Sequence, residues 1–462
     1  MQSNIMNQYV YLEVAILGLF PIFFLIKEKG LKLYHPGLLL SIIYFVEFGI
    51  PSILMVSDPM EFWQFDFFVL RSLQNGMLFI ILVFFLFTLG FYSPLYNRHI
   101  RSLISKLMNK IPSVNNYTLE IENLTIILIA LFVIGWIARF LTIKMGMYYH
   151  TEVGYNQEVK LTGFQQFASY VNLCSLFPLI GLSLCFLEWL NNPQKHFFLV
   201  ISLLLLIPEI MYALPTGSKE RILFPIAILL FMYALKTKLA VIPIVTSILV
   251  FIFFIFPFVG VYRSIPLSGD AFIDLQRTFD IYLYQFGHFS QEALGKMSYM
   301  IFGERLNYSL IVSVIIEKTP KIWDFKHGYT YLFFLISLVP RILWPGKPSI
   351  TGFDNVFGRD YGFLGPTDYS TSVDMTWVGE MFVNFGWYGI FVAFLYGVLF
   401  QTLYTYFLKH KKLTQITIIL YSFGLYYMLR GGEFAAQFSG LFKAYLVIFI
   451  LMKPFLKKAE IK

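Results

Sequence analysis

The 462-residue chain is 58% hydrophobic and only 13% charged, against roughly 25% charged in an ordinary soluble domain. Its formal charge of +8 at pH 7 would suit a nucleic-acid binder, but the cations sit in short connections between long apolar runs, where anionic lipid headgroups account for them. Composition thus excludes a soluble enzyme and a nucleic-acid partner, and leaves an all-α polytopic membrane protein.

Residues 9–26 form the first expected span. No small-residue cleavage pattern follows it, so it is read as a span and not as a leader. Apolar runs follow at 37–56, 77–90, 123–143 and 164–190, then at 197–215, 222–235 and 240–260. Their lengths suit about 30 Å of hydrocarbon, with 197–215 and 222–235 as two short spans. After residue 376 comes a run over 377–400 and then two more. The total is about eleven spans, or about thirteen if the shorter runs 306–316 and 329–343 cross instead of re-entering or lying at the interface. The 52 Phe and 30 Tyr suit lipid-facing surfaces and interfacial belts. Cys174 and Cys185 share one expected span, about 16 Å apart along a helix, too far for a bridge. The seven histidines show no metal-ligand spacing.

Basic connections alternate with acidic or mixed ones. Lys27, Lys29 and Lys32 follow the first span, and Arg98, Arg101, Lys106 and Lys110 the third. Lys195, then Lys236 and Lys238, then Lys409, Lys411 and Lys412 mark later turns, and Lys453, Lys457, Lys458 and Lys462 close the chain. Between them lie Asp58, Glu61 and Asp66, then Glu152 and Glu158, then Glu220. The positive-inside rule puts the basic turns in the cytoplasm, the N-terminus outside and the C-terminus inside. One integral membrane domain results: eight spans in 1–262, an extracytoplasmic region over 263–376 with short helices, and three last spans in 377–452.

That region carries the sharpest chemistry. In Val-Pro-Arg-Ile-Leu-Trp-Pro-Gly-Lys-Pro, Pro340, Pro345 and Pro348 stiffen a loop that presents Arg341 and Lys347. Stiffly held cations suit electrostatic catalysis, because they need not reorganise as charge develops. Arg clamps phosphate oxygens bidentately, and Lys adds a compact charge. Arg263 closes the eighth span, and Arg305 precedes a short apolar run. On the same expected face, Lys219 and Arg221 follow Pro215 and Gly217, where a bland interfacial role is equally open. Arg430 lies in the turn with Gly431 and Gly432, as another cation or as a partner of Glu433. Arg139 is a lesser candidate, and Glu13, Glu47, Glu188 and Glu209 receive no role. Glu380 falls just inside the 377–400 run, where an ionisable group is a functional hypothesis by default. It or Asp374 is a candidate base, Glu380 being preferred because a span entrance supplies rigidity and partial desolvation, with a structural ion pair as the alternative. His327 is a further candidate base ahead of Gly-Tyr-Thr-Tyr, and Asp368 reads as a loop cap.

Four patterns in this order resemble the Wzy-type oligosaccharide repeat-unit polymerases of bacterial O-antigen, capsule and exopolysaccharide. They are Thr216-Gly217-Ser218-Lys219-Glu220-Arg221, Arg305 followed by Pro320, Pro340-Arg341 with Trp344-Pro345-Gly346-Lys347-Pro348, and Gly379-Glu380 with Asn384-Phe385-Gly386 and Gly389. Members often carry Arg directly after Gly-Ser, where this chain has Lys219, so the substrate-contacting cation is open between Lys219 and Arg221. The resemblance implies a GT-C-like glycosyltransferase of the bacterial cytoplasmic membrane, with no nucleotide-sugar site, metal or cofactor. Its substrates would be oligosaccharides linked to undecaprenyl diphosphate. The growing glycan would pass to the non-reducing hydroxyl of a new repeat unit, releasing the lipid diphosphate. Membrane lipids, a chain-length regulator and a flippase would be its partners. A lipid-linked oligosaccharide flippase and a related glycan ligase are the alternatives. A flippase of repeated halves would line a central cavity with its cations, whereas here polar residues gather after the eighth expected span.

Overall fold

Inside hydrocarbon each backbone N–H and C=O must be satisfied within its own segment, so long apolar runs fold as helices. The computed structural model describes all residues except 1, 58–66, 109–113, 121–122, 145–167, 238–240, 267, 269–270, 288–306, 340–342, 345, 349, 370, 409–412 and 459–462. The helices of the first half are α1 (Gln2–Lys27), α2 (Pro36–Tyr44), α3 (Ile50–Ser57), α4 (Phe67–Tyr96), α5 (Arg98–Met108), α6 (Leu124–Lys144), α7 (Ala168–Cys174), α8 (Phe177–Asn191), α9 (His196–Ala213) and α10 (Lys219–Lys236). Those of the second are α11 (Val241–Val250), α12 (Phe256–Ser264), α13 (Ala271–Gly287), α14 (Tyr308–Lys318), α15 (Tyr329–Leu338), α16 (Ile350–Asp360), α17 (Thr376–Phe385), α18 (Ile390–Leu408), α19 (Gln415–Leu429) and α20 (Phe434–Met452).

Among the described residues, eight stretches are long and apolar enough to cross a membrane: Gln8–Lys27, Pro36–Ser57, Ser72–Tyr96, Leu124–Lys144, Tyr170–Asn191, His196–Thr216, Thr376–Leu408 and Phe434–Phe455. The chain is a mostly helical, polytopic membrane protein. Helices also occupy the other expected spans, at α10, α11 with α12, and α19.

The core forms around α4. Phe79, Phe84, Phe87 and Phe91 on this helix are buried, and Phe87 meets Trp377 and Phe400 at ring-centroid distances of 6.0 and 5.4 Å. Tyr44 closes on Trp377 from α2 at 5.5 Å. Helix α18 crosses α4 with the backbones in contact. A Cβ on Gly90 would strike the Phe394 carbonyl, and one on Gly397 the Phe87 carbonyl. Small residues permit this approach where helices associate in lipid.

Two described helices of the 263–376 region pack onto the spans. Helix α14 buries Leu310, Val312, Val314 and Ile315 and lies against α4 and α17, while α15 lies along α20. These helices have 11 and 10 residues, about 15–17 Å at 1.5 Å per residue, roughly half the hydrocarbon thickness. The expected 377–400 span is divided. Gly386 takes φ +58 and ends α17, a 3₁₀ turn follows over Gly386–Gly389, and α18 resumes.

At the opposite end of the bundle, strand β1 (Tyr117–Leu119) pairs antiparallel with β2 (Leu456–Lys458). An ion pair of 2.7 Å between Glu120 and Lys457 extends the ribbon.

Candidate functional site

Two helices start at one point, and carboxylates receive their free amides. The first amides of a helix lack intrahelical partners and carry the positive end of its dipole. Asp374 accepts from the Thr376 amide at 2.6 Å, and Thr376 Oγ1 accepts from the Gly379 amide at 3.2 Å. Glu433, the residue before α20, reaches across to accept from the Met375 amide at 2.8 Å. Glu380 in turn accepts from the Phe434 amide at 2.7 Å. The starts of α17 and α20 are thus cross-linked through each other's acids. Thr376 adopts φ +62, a strained region for a β-branched residue, and such strain gathers where surrounding structure imposes it.

Asp354 on α16 completes the group. It is buried, its Oδ1 has no hydrogen-bond partner, and its electrostatic neighbours are Asp374 and Glu380. Burial, reinforced by those two acids, pushes the Asp354 carboxyl up to about 8. Burial also raises Asp374, against the pull of the Thr376 amide and Arg430. Glu433 stands well above the usual carboxylate range through burial and the nearby Asp374, Asp354 and Glu380. Desolvation and like charge both favour the neutral acid, hence the common direction.

Beside the acids lies a cleft of about 20 Å³, lined by Tyr44, Glu47, Tyr308, Thr376, Trp377, Arg430, Gly431 and Gly432 among others. That is room for about one water. Glu47 lies in a π-helical turn, Phe45–Gly49, that interrupts the second span; such turns often mark functional positions. A larger cavity of about 280 Å³ at the basic end, among Leu119, Leu187, Lys195 and Gln415, contains none of the candidate residues.

The cations converge in part. Gly217 takes φ +59 to turn the chain. Around that turn, Arg263 Nε donates to the Gly217 carbonyl at 2.7 Å, and Tyr262 donates to the Pro215 carbonyl at 3.0 Å. Lys219 Nζ lies 2.9 Å from the Phe256 ring centroid. Glu220 bonds Arg430 Nε at 2.6 Å, so the sequence reading of Arg430 as a partner for Glu433 gives way to Glu220. Arg430 also acts electrostatically on Asp374. Lys219, Arg263 and Arg430 therefore belong to one network, with Arg221 exposed at its edge.

Other candidates are elsewhere. Lys347 donates to the Val339 carbonyl at 2.7 Å and approaches those of Ser337 and Ile336 at 3.4 and 3.5 Å, capping the end of α15. Arg305 and Arg341 lie outside the described residues, as do Pro340 and Pro345. His327 is exposed, and its amide binds the Asn384 carbonyl at 3.0 Å, at the far end of α17. Ten residues of helix put about 15 Å between it and the start of α17. Glu380 is fully buried and its second oxygen accepts from the Thr330 hydroxyl at 2.6 Å. Asn384 donates to that same hydroxyl at 2.7 Å. Both Glu380 oxygens are thus committed to joining α15, α17 and α20, whereas Asp374 is half-buried beside Gly432. Of the two acids, Asp374 is the one with access. Arg139 forms a buried pair with Glu209 at 2.7 Å, and its guanidinium lies 4.4 Å from the Tyr212 ring centroid.

Sequence reasoning missed Glu433 and Asp354 as site members and gave Glu47 no role. For Glu433 a signal existed: an acid after Gly-Gly and before an apolar run occupies an N-cap position. Asp354 had none, because its acidic neighbours are distant in sequence.

A family model described as a domain of unknown function (DUF8712) matches residues 107–462, which takes in every candidate residue except Glu47. Comparison with curated proteins and with solved structures returns no match.

Proposed function

This chain belongs to the DUF8712 family, and from its site we propose that it polymerises lipid-linked oligosaccharide repeat units. In this account it is a GT-C-like glycosyltransferase of the bacterial cytoplasmic membrane, with about eleven spans, its N-terminus outside and its C-terminus in the cytoplasm. The observation that carries the proposal is the pairing of cations and an accessible acid at one end of the bundle. Lys219, Arg263 and Arg430 surround the 215–220 turn, and Asp374 lies beside Gly432, within the electrostatic reach of Arg430.

Such an arrangement suits transfer from a diphosphate. The cations neutralise charge developing on the leaving group, and a carboxylate within about 3 Å of the acceptor hydroxyl takes its proton. Asp374 replaces Glu380 as the preferred base because the Glu380 oxygens are occupied. Glu380 keeps the helices in register. The donor is the growing glycan on undecaprenyl diphosphate, and the acceptor is a repeat unit on its own carrier. A chain-length regulator and a flippase are the expected partners.

The test is reconstitution of the purified protein in vesicles with a synthetic undecaprenyl-diphosphate repeat unit. Lengthening of the glycan on its carrier is the expected result. Transbilayer movement without lengthening would indicate a flippase, and transfer to a different lipid a ligase; either would replace the proposal.

A further inference from the structure

The carboxyls of Asp374 and Glu433 are seated on the adjacent backbone amides of Thr376 and Met375, at 2.6 and 2.8 Å. This brings the two acids together and anchors both, so neither turns away to relieve the repulsion. The surroundings supply little compensating charge. Facing the pair are the acids Asp354 from α16, Glu380 from α17 and Glu220 from α10. Glu47 of the second span acts on Tyr308 of α14 together with Asp374 and Glu433. The facing cation among the described residues is Arg430, whose Nε is committed to Glu220. Asp354 adds an independent sign of a proton-accepting site: it is 8% exposed, it faces Asp374 and Glu433, and its Oδ1 has no partner.

We propose that Asp374 and Glu433 share one proton and work as a carboxyl dyad, with Glu433 positioning and tuning Asp374 and Asp354 receiving the proton next. Two carboxyls in contact resist double ionisation, so one proton remains while the other oxygen serves as base. The role of base rests on the polymerase account; the sharing of a proton does not. In the transfer step the acceptor O–H bond breaks and its proton goes to the ionised oxygen of the dyad. The hydroxyl oxygen forms the new bond to the anomeric carbon of the donor. The bond from that carbon to the diphosphate oxygen breaks, and its electron pair leaves with the phosphate. The dyad then holds two protons; one passes to the free oxygen of Asp354 as the Asp354 carboxyl gives up its own proton to water, which restores both groups.

The experiment is infrared difference spectroscopy of the purified protein at neutral pH, comparing wild type with Glu433→Gln and with Asp374→Asn. The expected result is loss of one protonated-carboxyl carbonyl band in either variant, so the dyad can be read even if one of them fails to fold. Loss of an ionised-carboxylate band alone would overturn the proposal. Rate against pH gives a second readout that a merely structural Glu433 would not move. The wild type should show a bell, failing at high pH when the shared proton is lost. In Glu433→Gln the amide donates at any pH, so the high-pH fall should vanish; an unchanged bell would count against the dyad. If the band is present but no glycan is lengthened, proton sharing stands and the polymerase account falls. Lengthening without the band sinks the dyad alone.

Discussion

Asp354 gives the most direct residue-level consequence of a buried acid group. Its carboxyl rises from 3.8 to about 8 on folding, so the folded protein binds this proton more tightly than the unfolded chain. The associated stability is complete below the unfolded value and is lost as pH rises through the folded one. Melting of the purified protein should therefore fall between about pH 4 and pH 8, with a slope from this group of at most about 1.4 kcal/mol per pH unit. Asp354→Asn should flatten that part of the profile; an identical profile would mean that Asp354 is ionised in the folded protein. Thr330→Val tests the neighbouring network. It removes a hydroxyl that serves both Glu380 and Asn384, and leaving such groups without a partner costs about 1–3 kcal/mol. Thermal inactivation should come earlier, and an unchanged rate would deny the network a structural role. Legibility at this scale followed from local chemistry. Arg430 beside two glycines, Lys219 after a Pro/Gly turn and Glu380 inside an apolar run stand out from their neighbours. Which acids meet is decided by tertiary contacts between segments dozens of residues apart, and no spacing reveals that.

Helices form where apolar length requires them, so their existence was legible and their interruptions were not. The 377–400 run reads as one span because every residue near its middle tolerates a helix. The break comes from Gly386 at φ +58 and from Gly389, where an added Cβ would strike the Met381 carbonyl. The β1–β2 ribbon was invisible for another reason: three residues on each side are too few to show an alternation. The crossing of α4 and α18 offers the cleanest test of packing. Gly90→Leu or Gly397→Leu would drive a side chain into backbone, and neither variant should accumulate as folded protein. Gly365→Ala, where an added Cβ meets nothing within 4 Å, should be neutral. Normal yields from both leucine variants would refute the close crossing. At the start of α17, Thr376→Asn keeps a capping oxygen on a residue type that tolerates positive φ. It should match or exceed wild type in thermal stability, whereas Thr376→Val should fall below it.

As a whole, the molecule keeps its basic turns and its acid–arginine site at opposite ends of one helical bundle. Lys195 and the β1–β2 ribbon mark one end, and the 215–220 turn with Arg430 and Asp374 the other. With Cys174 replaced by serine, Ser218→Cys should react with an impermeant thiol reagent from outside intact cells. Lys195→Cys should react only after permeabilisation, and the reverse pattern would invert the proposed orientation. The membrane character was legible from composition alone, and the joining of 263–376 to the spans was foreshadowed by its short apolar helices. The proposed activity rests on the site, where Asp374 would take the acceptor's proton while nearby cations hold the diphosphate. The direct measurement is glycan lengthening by purified Asp374→Asn beside wild type, with binding of undecaprenyl diphosphate measured separately on the same samples. The account predicts that binding stays within about twofold of wild type while lengthening falls by about 10²-fold or more, the scale of a lost general base. Lengthening at the wild-type rate by a folded Asp374→Asn protein would contradict it.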